Sequence, residues 1–297
     1  MERNTQMLSP TMLEKAAMRV MGLGSVAEIA AAGQERLDEH AVAILHEVHG
    51  GHIVNHTLQV YEDTAAYYAA CKNHAQIQPA LIRFVDELND GDVVLDLGCG
   101  TGRDLWFMAV PNKEYRESLI NGKRGVWGKI PTIALRVIGA DASKAMCEIA
   151  ENPMNCAEVS TRYKPTVIVR DMYIDLADFL RHANLHGIWS NTSFLTHTPE
   201  EYIEPTMERL AGALRLQGVL AISYTQRTDP FAPYDSLKLS NTGRIKYFSH
   251  PLARDISEIA HRHGLIVEHH STDDYVDPST GATKKDLFVT QFFRKVR

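Results

Sequence analysis

The chain has 297 residues, a formal net charge of −6, 44% hydrophobic and 23% charged residues, a composition ordinary for a globular protein holding one large domain or a domain with an appendage. The negative balance gives no general pull toward nucleic acid, and no apolar run reaches the ~18–20 residues of a membrane helix. Met1-Glu2-Arg3-Asn4 lacks the basic-then-apolar pattern of a signal peptide, and Cys71, Cys99, Cys147 and Cys156 form no C-x-x-C pair, so a cytoplasmic protein with reduced thiols and no zinc framework is expected.

Residues 1–60 read as an N-terminal helical extension. Ser9-Pro10 predicts a helix start, Met12, Leu13, Ala16, Ala17, Val20 and Met21 give it an apolar side, and Gly22-Leu23-Gly24 breaks it. Ser25 predicts the cap of a second helix, running through Ile29, Leu37, Val42, Ile44 and Leu45 toward Gly50-Gly51. A lid, a homodimer contact and a packed extension all stay open for these helices. His46, His49, His52 and His56 would line one side of a continuous helix, but Gly50-Gly51 interrupts it, so no metal site is expected.

A main domain over 61–297 begins near Tyr61, which shares a helix face with Tyr68. A helix over 76–88 leads into Val93-Val94-Leu95-Asp96-Leu97, an apolar run that predicts a buried parallel strand. Gly98, Gly100 and Gly102 follow at alternate positions, which permits a turn with unusual dihedrals and close approach of a ligand to the backbone. A helix opens at 103–109, so a cofactor belongs outside the carboxyl end of the strand. The dinucleotide fingerprint needs G-x-G-x-x-G. Here Arg103 stands where the last glycine should be, and Asp96 would repel a pyrophosphate but not a ligand carrying an ammonium and a sulfonium. The next strand, 135–141, ends in Asp141, 45 positions after Asp96, about twice the ~20 residues usual between such acids. Residues 111–133 therefore read as an insertion, basic (Lys113, Arg116, Lys123, Arg124, Lys129) and carrying Trp127, either a solvated loop or a cover for a site or partner. Strands at 166–169, 187–190 and 219–224, helices at 200–215 and 251–262, and closing strands at 265–268 and 287–292 complete a doubly wound α/β alternation.

The pattern D-x-G-x-G-x-G at Asp96, Gly98, Gly100 and Gly102 resembles the first motif of the class I S-adenosylmethionine (SAM) dependent methyltransferases, small-molecule type, over roughly residues 61–297. The resemblance implies a seven-stranded, mostly parallel sheet of order 3-2-1-4-5-7-6 with the last strand antiparallel, and SAM as cofactor. It implies that Asp141, in Gly139-Ala140-Asp141-Ala142-Ser143, binds the ribose with Ala142 beside it; a carboxylate can accept two hydrogen bonds from vicinal hydroxyls. Asp171 would accept from the adenine amino group while the Met172 amide meets a ring nitrogen. Tyr68 belongs to the segment from which a tyrosine closes over the methionine end. Ser190 opens the small-residue run after the fourth strand, in which His197-Thr198-Pro199 supplies the family's H-x-P with one extra residue before it. Asn-Pro-Pro-Tyr and Asp-Pro-Pro-Tyr are missing, which argues against methylation of nucleic-acid base nitrogens or glutamine amides.

Methyl transfer is an in-line displacement in which the cofactor carries the reactivity, so the protein supplies alignment and at times a base. His197 is the candidate base or a structural imidazole. Asn191, Ser193, Tyr224 and Ser249, at or after strand ends, are candidates to orient a small-molecule acceptor at its N, O or C atom. Phe194, Phe231, Tyr234, Tyr247 and Phe248 would wall a sulfonium or pack the core. An alternative keeps the SAM site and changes the bond broken: the cofactor's own amino group attacks its γ-carbon, giving a four-membered ring and methylthioadenosine, as in azetidine-2-carboxylate synthases on this fold. The trio Asn191, Tyr224 and Ser249 would suit such a pocket. A non-catalytic SAM-binding regulator would bind without turnover.

Overall fold

β1 (Val93–Leu97) lies at the centre of a sheet whose order, among the described residues, is β3-β2-β1-β4-β5-β9-β8. The computed structural model describes residues 10–48, 52–70, 79–111, 116–117, 131–152, 162–173, 175–240, 242–276 and 283–297. β2 (Arg136–Asp141), β3 (Thr166–Val169), β4 (Leu185–Asn191) and β5 (Leu214–Thr225) run parallel to β1. β9 (Thr283–Lys295) runs antiparallel between β5 and β8 (Leu265–Val276). Numbered within this sheet alone, that is the order and orientation the motif implied.

The period-2 alternation of each strand divides the core. Leu95, Leu97, Ile188, Leu220 and Ile222 face one side, where they pack on Ile203, Met207 and Leu210 of α8 (Glu200–Ala213) and on Ile256 and Ala260 of α9 (Ala253–Arg262). Val94, Trp189, Val219 and Ala221 face the other, against Leu81, Phe84 and Val85 of α4 (Pro79–Asp86) and Leu105, Phe107 and Met108 of α5 (Arg103–Ala109). The short helices α6 (Lys144–Glu151) and α7 (Leu176–Leu180) follow β2 and β3. No described helix is long and apolar enough to cross a membrane.

A second, smaller core lies apart from the sheet. β6 (Asp235–Leu239) and β7 (Ile245–Ser249) form an antiparallel hairpin that was not expected from the sequence. Its Leu237, Ile245 and Tyr247 pack on Leu13, Ala17 and Met21 of α1 (Met12–Met21) and on Ile29, Leu37 and Ile44 of α2 (Val26–Glu47). Leu13, Ala16, Ala17, Met21, Ile29, Leu37 and Ile44 are thus covered within the chain, while Met12 (55%) and Val42 (76%) of the same stripes stay exposed. Thr11, not the Ser9-Pro10 pair, caps α1: its hydroxyl accepts from Glu14 N while the Glu14 carboxylate accepts from Thr11 N, a capping box. Ser25 caps α2 as expected, and Gly22 closes α1 with φ 67°.

α3 (His52–Ala70) crosses the boundary placed at 60/61. One continuous helix therefore spans that position. The insertion is also partly revised. Arg116 is 0% exposed and donates to the carbonyls of Phe107, Met108, Pro131 and Ile133, so it satisfies the open C-terminal end of α5 instead of facing solvent. Burial pushes its guanidinium down to about 10, against the pull of Asp86. Ser9, His49, Gly50, Gly51, Cys71, Cys156 and the insertion's Lys113, Lys123, Arg124, Trp127 and Lys129 lie outside the described residues.

Candidate functional site

The carboxyl ends of β1, β2, β3 and β4 open onto a pocket of ≈ 230 Å³ that α3 covers from outside. The glycine turn shapes its floor. Gly98 (φ 74°) and Gly100 (φ 53°) both take left-handed backbone conformations. A Cβ on Gly98 would lie 1.7 Å from Ser193 Oγ, so this position brings the turns after β1 and β4 together. A Cβ on Gly100 would meet nothing within 4 Å, which leaves open space beside the backbone. Gly98 N and Cys99 N donate to Ala140 O at 2.7 and 3.1 Å, tying the turn to the end of β2. Asp141 completes the tie by accepting from Gly100 N and Ser143 N, each at 2.9 Å.

Asp96, 2% exposed, lines this space, and its Oδ2 has no hydrogen-bond partner among the described residues. Asn191 Oδ1 is in the same condition. Asn191 is oriented by its own amide, which donates to Asp104 Oδ2 at 3.0 Å. Asp104 also accepts from Trp189 Nε1 at 2.9 Å and from Arg103 at 2.6 Å. These contacts hold Asp104 below the usual carboxylate range despite its burial. Burial pushes Asp96 well above that range, with the Asp104 charge adding and Arg103 opposing. Asp141 is raised by burial against the backbone amides it accepts from.

At the outer end stand Tyr61, Tyr68 and His197. His197 Nδ1 lies 2.7 Å from the Tyr247 carbonyl and must donate to it, so Nε2 accepts from Tyr61 Oη at 2.9 Å. Burial, then the nearby Lys246 ammonium, lower the imidazole to about 3. His197, read from the sequence as either a base or a structural imidazole, is a ring whose Nε2 lone pair is engaged by the Tyr61 hydroxyl. Burial raises Tyr61 well above the phenol range.

The structure brings eleven of the sequence-predicted residues to this pocket: Tyr68, Asp96, Gly98, Gly100, Asp141, Ala142, Asp171, Met172, Asn191, Ser193 and His197. Four others sit elsewhere. Gly102 (φ 88°) caps α5 and gives close packing, since its Cβ would be 3.0 Å from Ala150. Ser190 Oγ is buried and accepts from Phe194 N at 3.1 Å, holding the turn after β4. Tyr224 shares the inward face of β5 with Leu220 and Ile222, and its hydroxyl donates to Gln291 Oε1 at 2.7 Å in the core. Ser249 Oγ donates to Leu195 O and accepts from Thr198 N. The trio Asn191, Tyr224 and Ser249 is thus not gathered in one pocket.

Sequence reasoning missed Arg103 as a pocket residue, though its place straight after the glycine turn was a signal. It also missed Glu62, the residue next to Tyr61 on α3. Glu62 accepts from Ser143 Oγ at 2.6 Å and Ala145 N at 3.1 Å, a carboxylate at the N-terminus of α6 that docks α3 on the sheet. Thr192, after β4, holds φ 51°, a strained conformation at the pocket's edge. Among the described residues no three His, Cys, Asp or Glu side chains group as a metal site.

No family model and no curated protein matches the sequence. Among solved structures, the chain is similar to a DhpI–SAM–HEP complex, at 16% identity over 83% of this chain and 100% of that one, with a TM-score of 0.53. It is similar to a DhpI–SAH complex at 17% identity over 82% and 97%, with a TM-score of 0.51. A SAM-dependent methyltransferase from Methanosarcina mazei matches at 13% identity over 74% and 99%, with a TM-score of 0.53. At these identities the likeness speaks for architecture, and with the sheet order and crossover pattern above it leads to one conclusion: the chain has the fold of the SAM-dependent methyltransferases.

Proposed function

We propose that the protein is a SAM-dependent methyltransferase acting on N, O or C of a small metabolite. The observation that carries this reading is the pair of buried, unpartnered acceptors, Asp96 Oδ2 and Asn191 Oδ1, beside an open glycine turn. Two acceptors with no donor suit an ammonium, which has three donors and no acceptor. Arg103, a cation lining the pocket beside them, would meet the carboxylate of the same amino-acid moiety. Asp141, fixed by two backbone amides, would accept from the ribose diol, and Asp171 with the Met172 amide would hold the adenine. Bound there, SAM supplies a methyl group already activated by its sulfonium. The protein's part is alignment: Asn191 holds the amino-acid end, while His197 fixes the Tyr61 hydroxyl instead of taking a proton.

Asp141→Ala is expected to weaken SAM binding by ~2–3 kcal/mol, the loss of a charge-assisted hydrogen-bond pair; calorimetric titration at fixed salt measures it, and an unchanged affinity would remove the ribose from Asp141. Mass spectrometry of the protein incubated with SAM, with and without a metabolite extract, tests the reaction. S-adenosylhomocysteine formed only with extract, beside a product heavier by one methylene, is the expected result. Methylthioadenosine formed from SAM alone would instead mean ring closure of the cofactor, and binding with neither product would mean a regulator.

A further inference from the structure

The outer wall of the pocket holds positive charge that the cofactor contacts do not use. On the hairpin, Lys238 and Lys246 stand directly opposite each other in the β6–β7 register, a like-charge pairing that destabilises a sheet. Lys246 is 6% exposed. Its ammonium donates to Tyr68 Oη at 2.5 Å and Tyr61 Oη at 3.4 Å, and it lies 4.6, 5.1 and 5.5 Å from the ring centres of Tyr61, Tyr68 and Phe248. The acids on the neighbouring α1 and α3 do not serve it: Glu14 and Asp63 are paired with Arg244. Burial, then Lys238, pull the ammonium down to about 8, the direction expected of a buried cation that no acid among the described residues pairs with. Keeping such a charge is costly unless an anion arrives to answer it.

The hydroxyls between Lys246 and the pocket are arranged for that. Tyr61 and Tyr68 line the pocket, and the ammonium sits directly behind their oxygens. At the inner end, Asp96, Asp104 and Asp141 give the opposite sign. Arg103 and Arg170 line the pocket as well, whereas Lys246 reaches it only through the two tyrosines.

Resting on the methyltransferase reading, we propose that the outer end receives an acceptor bearing a carboxylate or phosphoryl-type oxyanion, its charge answered by the Lys246 ammonium that stands behind Tyr61 and Tyr68. Lys246 is then a positioning residue that selects anionic acceptors and works against amine cations. Tyr61 transmits the choice, because its hydroxyl also holds His197.

The test is calorimetric titration of the SAH-loaded protein with benzoate and phenylphosphonate, against neutral benzamide and cationic benzylamine. At least one anion is expected to bind ten or more times tighter than both others. Lys246→Met should lose about 30-fold of that binding, the range for removing a charged partner, while its affinity for SAH stays within twofold of wild type; Lys246→Arg should keep the preference for anions. Equal binding of the four probes, binding of none, or anion binding unchanged in Lys246→Met overturns the proposal. So does a tenfold loss of SAH affinity in Lys246→Met, which would assign the charge to the cofactor's own carboxylate. A wild-type protein that binds no SAH would sink the methyltransferase reading itself, and this inference with it.

Discussion

Glu14→Ala is expected to cost the fold about 3–5 kcal/mol, the range for removing one partner of a buried ion pair. Glu14 is 0% exposed and serves four donors. Its carboxylate accepts from Thr11 N at 2.9 Å, from Arg244 Nε at 2.6 Å and a terminal guanidinium nitrogen at 3.1 Å, and from Ile245 N at 3.3 Å. Arg244 reaches on to Asp63 of α3 at 3.0 Å. One carboxylate therefore closes the first turn of α1, pins that helix to β7, and through Arg244 couples both to α3. Alanine would leave the guanidinium buried with Asp63 alone and would orphan two backbone amides. The loss reaches the pocket, because Asp63 lies two residues from Tyr61 and Arg244 two residues from Lys246. Urea unfolding followed by near-ultraviolet circular dichroism measures the effect. A loss under ~1 kcal/mol, the worth of an exposed pair, would mean that the small core stands without this triad.

Asp96→Asn should move function and stability in opposite directions. A buried carboxylate facing an ammonium is a strong, charge-assisted contact, and the amide keeps its shape without the charge. SAM affinity should fall on the order of 100-fold or more, about 3 kcal/mol. The unliganded protein should become more stable at neutral pH, because burial and the adjacent Asp104 hold the Asp96 carboxyl well above its ordinary value. With the folded pKa above the unfolded one, the native state binds more protons between the two, so stability falls as pH rises through that window. The gain from asparagine is thus absent in acid and full above the folded pKa. Wild-type SAM affinity should rise with pH up to the raised Asp96 pKa of the free folded protein and then level off, with a proton released on binding as that pKa is approached from below. Calorimetry in two buffers of different ionisation enthalpy, beside thermal melts at both ends of the window, would show this. An affinity flat with pH would place the ammonium elsewhere.

Much of this was legible in the chain because it is local. An apolar run ending in an acid, three glycines at alternate positions and a helix start specify strand, turn and helix within a dozen residues, and the acids ending β2 and β3 repeat the pattern. Some of what was missed was also local. Leu220, Ile222 and Tyr224 share one parity on β5, so the alternation that buries the first two buries the third. Likewise Leu237, Leu239, Ile245 and Tyr247 alternate with polar residues on either side of Gly243, a hairpin signal. Arg116 looked like one base among several in a loop, and only its position beside the open carbonyls of α5 turned it inward.

By itself the sequence determined the sheet, the glycine turn and the acids at the strand ends, since each rests on short-range periodicity and on backbone conformations that few residues adopt. Tertiary structure alone decided the outer wall. Tyr61 meets His197 across 136 residues and Lys246 across 185. They meet because Glu62 docks α3 on α6 and Arg244 ties that helix to the hairpin. No periodicity encodes such meetings: which side chains share a pocket depends on how separately formed helices and strands pack, and that packing is set by burial and charge pairing over the whole chain.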